Sequence, residues 1–519
     1  MAKSSNIILC SNIKNDRDYV NVTDADMLAV CRSNSVVTLS NYSFIRRNRS
    51  LKINASYAAA IVCNYMAFQN PDYSNKWFFA WIDNVEYVGE NTLEVEFTID
   101  IWSTWFGSLT KLPVFVEREH VSDDTFGIHT LPEPVRPDKL TTNFTNYVRY
   151  SNYSIVVFWT PAQSNSTDLG YALGSRYYTC AMVNRYNCSN SGISDLQTDL
   201  STGGYLANAN ILGINVIPND FFSGNVISGN IKYIGQLDLV NTTYQMPAPV
   251  NLNGYVPVNK KCLIYPYNFI TVSNGSSEKI YKYEKFGLTL QGAGIFKIVA
   301  GVIPNGGATV YPMGYDGIVY ENVPESLDLG DLPMIVSNTD SYAAWLAQKS
   351  SGAVMQGIMS TLTGALAGMK MTGGTPVGAA AGAGAGLIGG LSNYLIQEES
   401  ARAEKDHVVG TNNVTIDMVN GVLGYTFCQR CALADDAERI DRFFSQFGYN
   451  VSTVKTPNYT GRTYWNYVKI KGSAGYGNMP ESARITLNEI LNRGTTIWHA
   501  HSYMGDYFTG GAKMQNPAV

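Results

Sequence analysis

The residues that could perform acid–base chemistry lie close together in one short stretch. Glu117, Glu119 and His120 occur within the sequence VFVEREHV, and a carboxylate beside a histidine can transfer protons in an active site. The same stretch has the pattern of a strand, where such groups more often form ion pairs at the surface or between subunits. We therefore expect ion pairs here, and we predict no catalytic residue.

Cysteine and histidine pairs give two weak candidates for a metal site. Cys428 and Cys431 form a single CxxC, but the second Cys/His pair that a structural zinc site needs is not evident. His499 and His501 could both project from one face of a strand, again without an evident third ligand. We predict no metal and no cofactor.

Other motifs that carry chemistry are absent from the sequence. It contains no GxSxG, HExxH or P-loop segment. Asp123–Asp124 is typical of a turn. Asp328 and Asp331 could bind a cation weakly, but a loop is the simpler interpretation. The sequence therefore predicts a protein that is not an enzyme.

Composition restricts the remaining functions. The chain has 519 residues, enough for two to four domains. A low charged fraction of 15%, with 34 tyrosines, favours β structure and packing between proteins. The net charge of −5 argues against tight binding of nucleic acid through its phosphates. It does not argue against a conduit, whose wall should lack dense lysine and arginine.

Cysteines and the first residues bear on where the protein is made. The eight cysteines are scattered, as in proteins made in a reducing cytosol, although Cys180 and Cys188 could bridge a loop. The apolar run Asn6–Cys10 is too short for a signal peptide. A membrane-active protein of this kind would leave its cell by another route, for example within a virion released by lysis.

The N-terminal part, residues 1–147, is predicted to be a β domain. Asn75–Tyr87 is aromatic and β-prone, and a turn with Gly89 follows it. From Leu93 to Ile101, apolar residues alternate with polar ones, which predicts a half-buried strand in a hairpin. Val114–Val121 is a further predicted strand.

The C-terminal part, residues 411–519, is predicted to be an α+β unit. Strand-like sequence at 412–427 precedes a helix with an apolar face and a glycine at its end. The predicted elements are the helix Asp435–Phe447, the strands Tyr449–Lys455 and Thr463–Ile470, the helix Pro480–Asn492 and the strand Thr495–His499. Such a unit suits packing between subunits of a ring.

The middle part, residues 148–335, is predicted to be an inserted β-rich domain. Short apolar runs are separated by turn signals such as Asn274-Gly275. The runs are Tyr153–Trp159, Ile231–Leu239, Phe286–Leu290 and Ile295–Val302. Either receptor binding or a structural role in assembly is compatible with this sequence.

The most unusual segment is Ser350–Gln397, within a predicted loop at 336–410. Its only charged residue is Lys370, in a polar break between two uncharged halves. Each half approaches the ~20 residues that a helix needs to cross the hydrocarbon core of a membrane, so a helical or irregular hairpin is predicted. Glycines four residues apart in the second half would let helices approach closely. The predicted membrane-insertion and plug residues are Val354, Met355, Ile358, Met359, Leu362, Leu366, Met369, Lys370, Val377, Gly378, Gly382, Gly386, Leu387, Ile388, Gly390, Leu391, Tyr394, Leu395 and Ile396.

Energetics limit what one copy of this segment could do. The strongly lipid-favouring residues of the second half contribute only about −2 to −4 kcal/mol in total, and glycine weakens a helix by ~1 kcal/mol per residue. Insertion is therefore marginal for one copy and more favourable for several together. A core pair of small-residue helices, or a flexible plug that never meets lipid, remains an alternative.

Two stretches of the sequence resemble a known family. The residues NKWFFAWIDNVEYVGENTLEVEFTIDIWSTW and FVEREHVSDDTFGIHTLPE, between Asn75 and Glu133, resemble the tail-knob (distal tail tube) proteins of small short-tailed bacteriophages of the picovirus type. The resemblance returns more weakly at 439–455 and 485–499. In that family the protein is a homohexameric tube at the end of the tail, with apolar loops in its lumen that are thought to enter the host membrane.

The resemblance implies a mainly β fold with a tube domain of the barrel or sandwich kind, and a position at the distal end of the virion tail. It also implies contacts with tail proteins above the knob, with the host membrane and with passing double-stranded DNA, without specific binding. A pore-forming toxin and a receptor-binding adhesin remain alternative functions.

Overall fold

The chain divides into two compact units built from non-contiguous segments. In a computed structural model, unit 1 comprises Met1–Lys139, Gly254–Tyr267 and Ala432–Val519, and unit 2 comprises Leu140–Asn253 and Asn268–Cys431. The structure describes residues 6–337, 423–507 and 516–518, apart from gaps at 15–17, 22, 41, 46–48, 71–72, 151–152, 162–169, 174–175, 180–181, 188–189, 201–205, 207–208, 223–230, 234–238, 275–276, 287–292, 302–307, 318–325 and 329–333.

The described residues form mainly β-strands, which confirms the predicted fold class. In chain order the strands are β1 (Ile7–Cys10), β2 (Tyr19–Val20), β3 (Ser35–Leu39), β4 (Ser43–Ile45), β5 (Ser50–Asn54), β6 (Tyr65–Asn70), β7 (Lys76–Gly89), β8 (Thr92–Ile99), β9 (Thr110–Lys111), β10 (Val114–Glu119), β11 (Leu140–Tyr150), β12 (Tyr153–Pro161), β13 (Gly170–Leu173), β14 (Arg176–Thr179), β15 (Met182–Asn187), β16 (Ala209–Pro218), β17 (Ile231–Tyr233), β18 (Leu239–Met246), β19 (Asn268–Ser273), β20 (Glu278–Tyr281), β21 (Gly294–Gly301), β22 (Ala308–Pro312), β23 (Leu327–Asp328), β24 (Met334–Ser337), β25 (Leu423–Ala432), β26 (Tyr449–Lys455), β27 (Trp465–Lys471), β28 (Gly475–Tyr476) and β29 (Thr495–Trp498). The α-helices are α1 (Asp24–Ser33), α2 (Tyr57–Ala60), α3 (Ile101–Trp105), α4 (Asn190–Leu200), α5 (Ala434–Phe447) and α6 (Glu481–Arg493).

The N-terminal sheet of unit 1 is rolled. Its strand order is β3-β1-β6-β7-β8-β5-β4, so β3 and β4 are opposite edges although they are consecutive in the chain. Seven flat strands would separate these edges by about 29 Å at ~4.8 Å per strand. The chain from Leu39 to Ser43 can span only about 14 Å at ~3.6 Å per residue. The sheet must therefore curl until its two edges approach each other.

The two faces of this rolled sheet have different cores. The apolar residues of β8, Leu93, Val95 and Phe97, are buried with Trp102 and Trp105 of α3. This burial confirms the predicted alternation of β8. On the other face, α1 covers a second apolar cluster, which consists of Ile8, Cys10, Ile13, Met27, Leu28, Cys31, Tyr65, Ala67 and Phe79.

The strand predicted to reach Ile101 ends earlier, at Ile99. Asp100 caps the following helix α3 by accepting a hydrogen bond from the Ser103 amide at 3.1 Å. An aspartate at this position satisfies an amide that lacks a helical partner, so the backbone turns into a helix at Ile101. The alternation of apolar and polar residues alone does not show that the strand ends at Ile99.

The C-terminal α+β run is present as predicted. Strand β26 has the predicted bounds, and the other elements differ from their predicted ends by one or two residues. Together with β10 and β2, its strands form a sheet in the order β2-β29-β27-β10-β26. Gly448 ends α5 with φ of 64°, and a Cβ there would lie 2.2 Å from the Glu119 carbonyl oxygen. Only glycine fits this position.

Unit 2 contains several antiparallel sheets, in agreement with the β-rich prediction for the middle of the chain. Their strand orders are β17-β15-β12-β16-β24, β18-β21-β22-β23, β11-β25-β19-β20 and β13-β14. The predicted run at Tyr153–Trp159 is β12, and that at Ile295–Val302 is β21. Phe286 instead ends a 3₁₀ turn at Tyr283–Phe286, so that strand prediction is wrong at its first residue. Its remainder lies outside the described residues.

Candidate assembly site

The candidate acid–base residues Glu117, Glu119 and His120 make contacts that stabilise the fold. Glu117 pairs with Lys469 at 2.8 Å, which confirms the ion-pair prediction for this residue. This hydrogen bond holds the pKa of Glu117 below its usual value. Glu119, in contrast, is fully buried, where it pairs with Lys455 and accepts a hydrogen bond from the Asn458 amide at 2.7 Å. The ion pair expected for Glu119 is thus present, but it is buried within the subunit, so the expected position at the surface or between subunits is wrong.

His120 has no free nitrogen for catalysis. It is fully buried, its Nδ1 accepts from the Tyr467 amide at 2.8 Å, and its Nε2 lies 3.0 Å from the Ser445 carbonyl oxygen. These contacts require a neutral ring with the proton on Nε2. Burial lowers the pKa of His120 to about 3, and the charge of Arg462 contributes. The ring therefore links β10 to β27 and to the end of α5.

The predicted metal candidates do not converge. Cys428 and Cys431 are three positions apart on β25 and so point to opposite faces of the sheet. His499 lies just after β29, and His501 belongs to a 3₁₀ turn, so the predicted alternation on a strand is wrong. In the described part of the chain, no group of three His, Cys, Asp or Glu side chains could hold a metal ion.

Three smaller expectations have mixed outcomes. Asp123 accepts hydrogen bonds from the amide and hydroxyl of Thr125, at 3.0 and 2.6 Å, which confirms the turn. Asp328 lies in strand β23 and accepts from the Thr309 hydroxyl at 2.7 Å, so the loop expected there is wrong. Asp331, and the predicted bridge between Cys180 and Cys188, lie outside the described residues.

All the predicted plug and membrane-insertion residues, from Val354 to Ile396, also lie outside the described residues. The chain leaves the described part after β24 and returns to it at Leu423, the first residue of β25. Within the residues that the structure covers, no helix is both long and apolar enough to cross a membrane.

Strand β25 lies at the centre of the sheet β11-β25-β19-β20. On one face, Phe427 packs against Phe296 and Tyr244, with ring centroids 5.3 and 4.4 Å apart. Tyr425 donates from the same face to the Ala308 carbonyl oxygen at 2.5 Å. These contacts fix β25 against the strands β18, β21 and β22, and so fix where the predicted plug segment rejoins the fold.

The edges of this sheet carry exposed apolar side chains. On β11, Leu140 is 45% exposed, Phe144 39% and Tyr147 46%. The only charged residue of β11 is Arg149, whose guanidinium stacks on Tyr147 at 4.2 Å. Ile280 on the opposite edge strand β20 is 51% exposed. The β11 edge has no proline and a single charged residue, and such an edge readily accepts another strand. The β20 edge carries Glu278 and Lys279 beside Ile280, so it is less open to pairing. We therefore identify the β11 edge as the candidate assembly site.

The sequence did not indicate this site, because apolar and polar residues do not alternate regularly along β11. Its sequence, LTTNFTNYVRY, alternates weakly and carries little hydrophobic signal. The signal that was available is the combination of β-branched and aromatic residues with almost no charge, which is unusual for an exposed edge.

Two models of phage tail protein families match this chain. A family model described as Bacillus phage phi29, tail knob protein gp9, C-terminal domain matches residues 229–510. A second model, Caudoviral major tail protein N-terminus, matches residues 3–110. The matches thus extend into the middle of the chain, which the resemblance read from the sequence did not cover.

Relatives of full length also match. The tail knob protein gp9 of Bacillus phage phi29 is 22% identical over 92% of both chains. That of Bacillus phage PZA is 23% identical over 88% of both. The solved structure of the bacteriophage C1 tail knob protein gp12 covers 99% of this chain with a TM-score of 0.57 at 12% identity, which shows a shared fold.

These relatives are structural tail proteins, and this agrees with the prediction that the chain is not an enzyme. The protein is thus a structural component of a phage virion, located at the tail. Since the gp9 family model alone spans more than half of the 519 residues, the chain belongs to the family of phi29-type tail knob proteins.

Proposed function

We propose that copies of this tail knob protein form a hexameric tube at the distal end of the tail and conduct double-stranded DNA during ejection. In this proposal, Ser350–Gln397 from each copy plugs the lumen and then enters the host membrane. The proposal includes contacts with the tail proteins above the knob, and no specific binding of the DNA.

The observation that carries the proposal is the exposed, nearly uncharged β11 edge of the sheet β11-β25-β19-β20, whose opposite edge strand β20 exposes Ile280. A contact between the β11 edge of one copy and the β20 edge of the next is head-to-tail, and head-to-tail contacts close into a ring when the rotation allows it. Each added strand would satisfy the amides and carbonyls of an edge. A ring of such sheets has a continuous inner wall.

Chain connectivity supports the role of the apolar segment. Residues 338–422 lead into β25, which belongs to the sheet proposed to form the ring. In every copy they would therefore enter the ring at the same end of that sheet. Six copies together would make membrane insertion favourable, although the free energy of insertion is marginal for one copy. The domain boundary proposed for this segment, 336–410, is part of the proposal.

Electron microscopy and dye release test the two halves of the proposal separately. A variant with 350–397 replaced by a short Gly-Ser linker is expected to form the same hollow ring as the wild type. It is expected to release no dye from liposomes, while the wild type releases dye after mild acid or heat exposes the segment. A folded variant that forms no ring, or that leaks like the wild type, would contradict the proposal.

A substitution at the candidate assembly site tests the ring contact. Phe144→Lys places a charge on the β11 edge and is expected to shift the protein from ring to monomer in native mass spectrometry. Ile485→Lys is the matched control, because Ile485 is 48% exposed on α6 of unit 1. Equal ring fractions for both variants would argue against pairing through β11.

A further inference from the structure

A largely buried arginine on the five-stranded sheet of unit 2 has no anionic partner among the described residues. Arg185 on β15 is 8% exposed. Its Nε donates to the Ser154 hydroxyl at 2.7 Å, and its guanidinium lies 4.1 Å from the centre of the Phe222 ring. Among the residues that the structure describes, no carboxylate pairs with it. No hydrogen bond joins its two Nη atoms to a described residue, and neither atom is fully enclosed, so both remain open to solvent and to a small guest.

A second unpartnered polar group lies on the same face. Arg185 is opposite Val156 on β12, and Val156 is opposite Asn215 on β16, so the side chains of Arg185 and Asn215 share one face. Asn215 is fully buried, and neither its amide oxygen nor its amide nitrogen has a partner in the described structure. Ser154, also on this face, donates to the Asn219 side-chain oxygen at 2.6 Å.

Burying Arg185 and Asn215 without partners destabilises the folded state. Arg185 is largely buried without an anion and is therefore only partly hydrated, and the fully buried amide of Asn215 has no partner that replaces its hydration. Burial also lowers the pKa of Arg185, with no counter-charge acting in the opposite direction. A single guest that carries negative charge and accepts N–H hydrogen bonds would satisfy the arginine and the amide nitrogen together.

The geometry of the donors selects the kind of anion. With Nε committed to Ser154, the Nη1 and Nη2 atoms present a planar fork that matches a carboxylate through two parallel hydrogen bonds. A singly charged group also costs less to bury than a doubly charged phosphate. We propose that Arg185 and Asn215 form a binding site for a carboxylate group, either free or carried on a sugar acid, with Ser154 positioning the guanidinium.

Isothermal titration calorimetry of the full chain with acetate and with glucuronate tests this proposal. We expect saturable binding of at least one of them, and at least tenfold weaker binding to Arg185→Gln. Arg430→Gln is the matched control, because Arg430 on β25 is only half-buried and donates to the Thr142 hydroxyl at 2.7 Å. Comparison of the two titrants distinguishes a free carboxylate from one on a sugar ring.

Thermal unfolding with and without the same titrants keeps the test valid if one variant is unstable. Arg185→Gln removes an unpaired buried charge, so its Tm without titrant is expected to be equal to or above that of the wild type. Asn215→Leu is expected to retain the fold and to bind more weakly. No binding of either titrant to the wild type, or equal binding to Arg185→Gln, would overturn the proposal.

Discussion

Asp441 on α5 and Asn259, in the segment of unit 1 between the two halves of unit 2, are joined by two hydrogen bonds to one oxygen. The Asn259 amide lies 3.0 Å, and its side-chain nitrogen 2.8 Å, from Oδ1 of Asp441. The other carboxylate oxygen accepts from the Val258 amide and the Tyr255 hydroxyl, both at 2.8 Å. One buried carboxylate thus holds the segment Gly254–Tyr267 on α5.

We predict that Asp441→Ala destabilises the protein by about 3 kcal/mol or more, because several buried donors would lose their acceptor at roughly 1–3 kcal/mol each. Denaturation in urea measures this change. Asp435→Ala on the exposed first turn of α5 is the control and is expected to change stability by less than about 1 kcal/mol. Equal effects of the two substitutions would contradict the anchoring role of Asp441.

Glu133 is a second buried anchor for the same segment. Its carboxylate contacts Lys261 and Arg118, and it accepts from the Asn450 amide at 2.8 Å. Glu133→Gln would leave two cations without their anion, and such a loss typically costs about 3–5 kcal/mol. The same urea titration measures it, with the exposed ion-pair residue Glu481 as the control in Glu481→Gln. A loss below about 1 kcal/mol for Glu133→Gln would refute this prediction.

His120 predicts a pH dependence of stability. Its folded pKa is about 3 because of burial, and an unfolded histidine titrates near ~6.5. The unfolded state therefore binds more protons between these values, so stability is full above about pH 6.5 and falls as the pH is lowered towards about 3.

The difference between wild type and His120→Asn isolates this contribution from the titrating carboxylates. Between about pH 7 and pH 4, the wild type is expected to lose on the order of 3 kcal/mol more than the variant. His129→Asn is the control for the substitution itself, because His129 is only half-buried. Parallel pH profiles for wild type and His120→Asn would count against the prediction.

Adding a single methyl group at Gly448 is expected to destabilise the protein. Its φ of 64°, and the 2.2 Å that would separate an added Cβ from the Glu119 carbonyl oxygen, leave no room for alanine. Gly448→Ala is expected to lower the melting temperature by several degrees, through strain of about 1–3 kcal/mol. Gly89→Ala is the control, since nothing lies within 4 Å of its Cβ position. No difference between the two variants would show that the turn relaxes.

Local patterns in the sequence predicted much of the fold. The alternation of β8, the apolar face of α5 and the glycines that end α5 and α6 each depend on neighbouring residues, and each appears in the structure. The family resemblance also depended on contiguous residues. The plug residues from Val354 to Ile396 stay a prediction.

Features set by distant residues could not be predicted in the same way. Asn259 lies 182 positions from Asp441, and Lys261 lies 128 positions from Glu133, so no local pattern indicates these pairs. The charged neighbours of Glu119 indicate a surface position, and only the position of β26 shows that this residue is buried. The open β11 edge becomes visible only when the strand order is known.

The sheet β2-β29-β27-β10-β26 joins the two ends of the polypeptide. Tyr19 pairs with Ile497, the Trp498 indole donates to Asp18 at 3.1 Å, and the Trp102 indole donates to the Val20 carbonyl oxygen at 2.9 Å. A ribosome must therefore release nearly the whole chain before unit 1 can close. A nascent copy that lacks residues 495–498 therefore cannot complete this sheet.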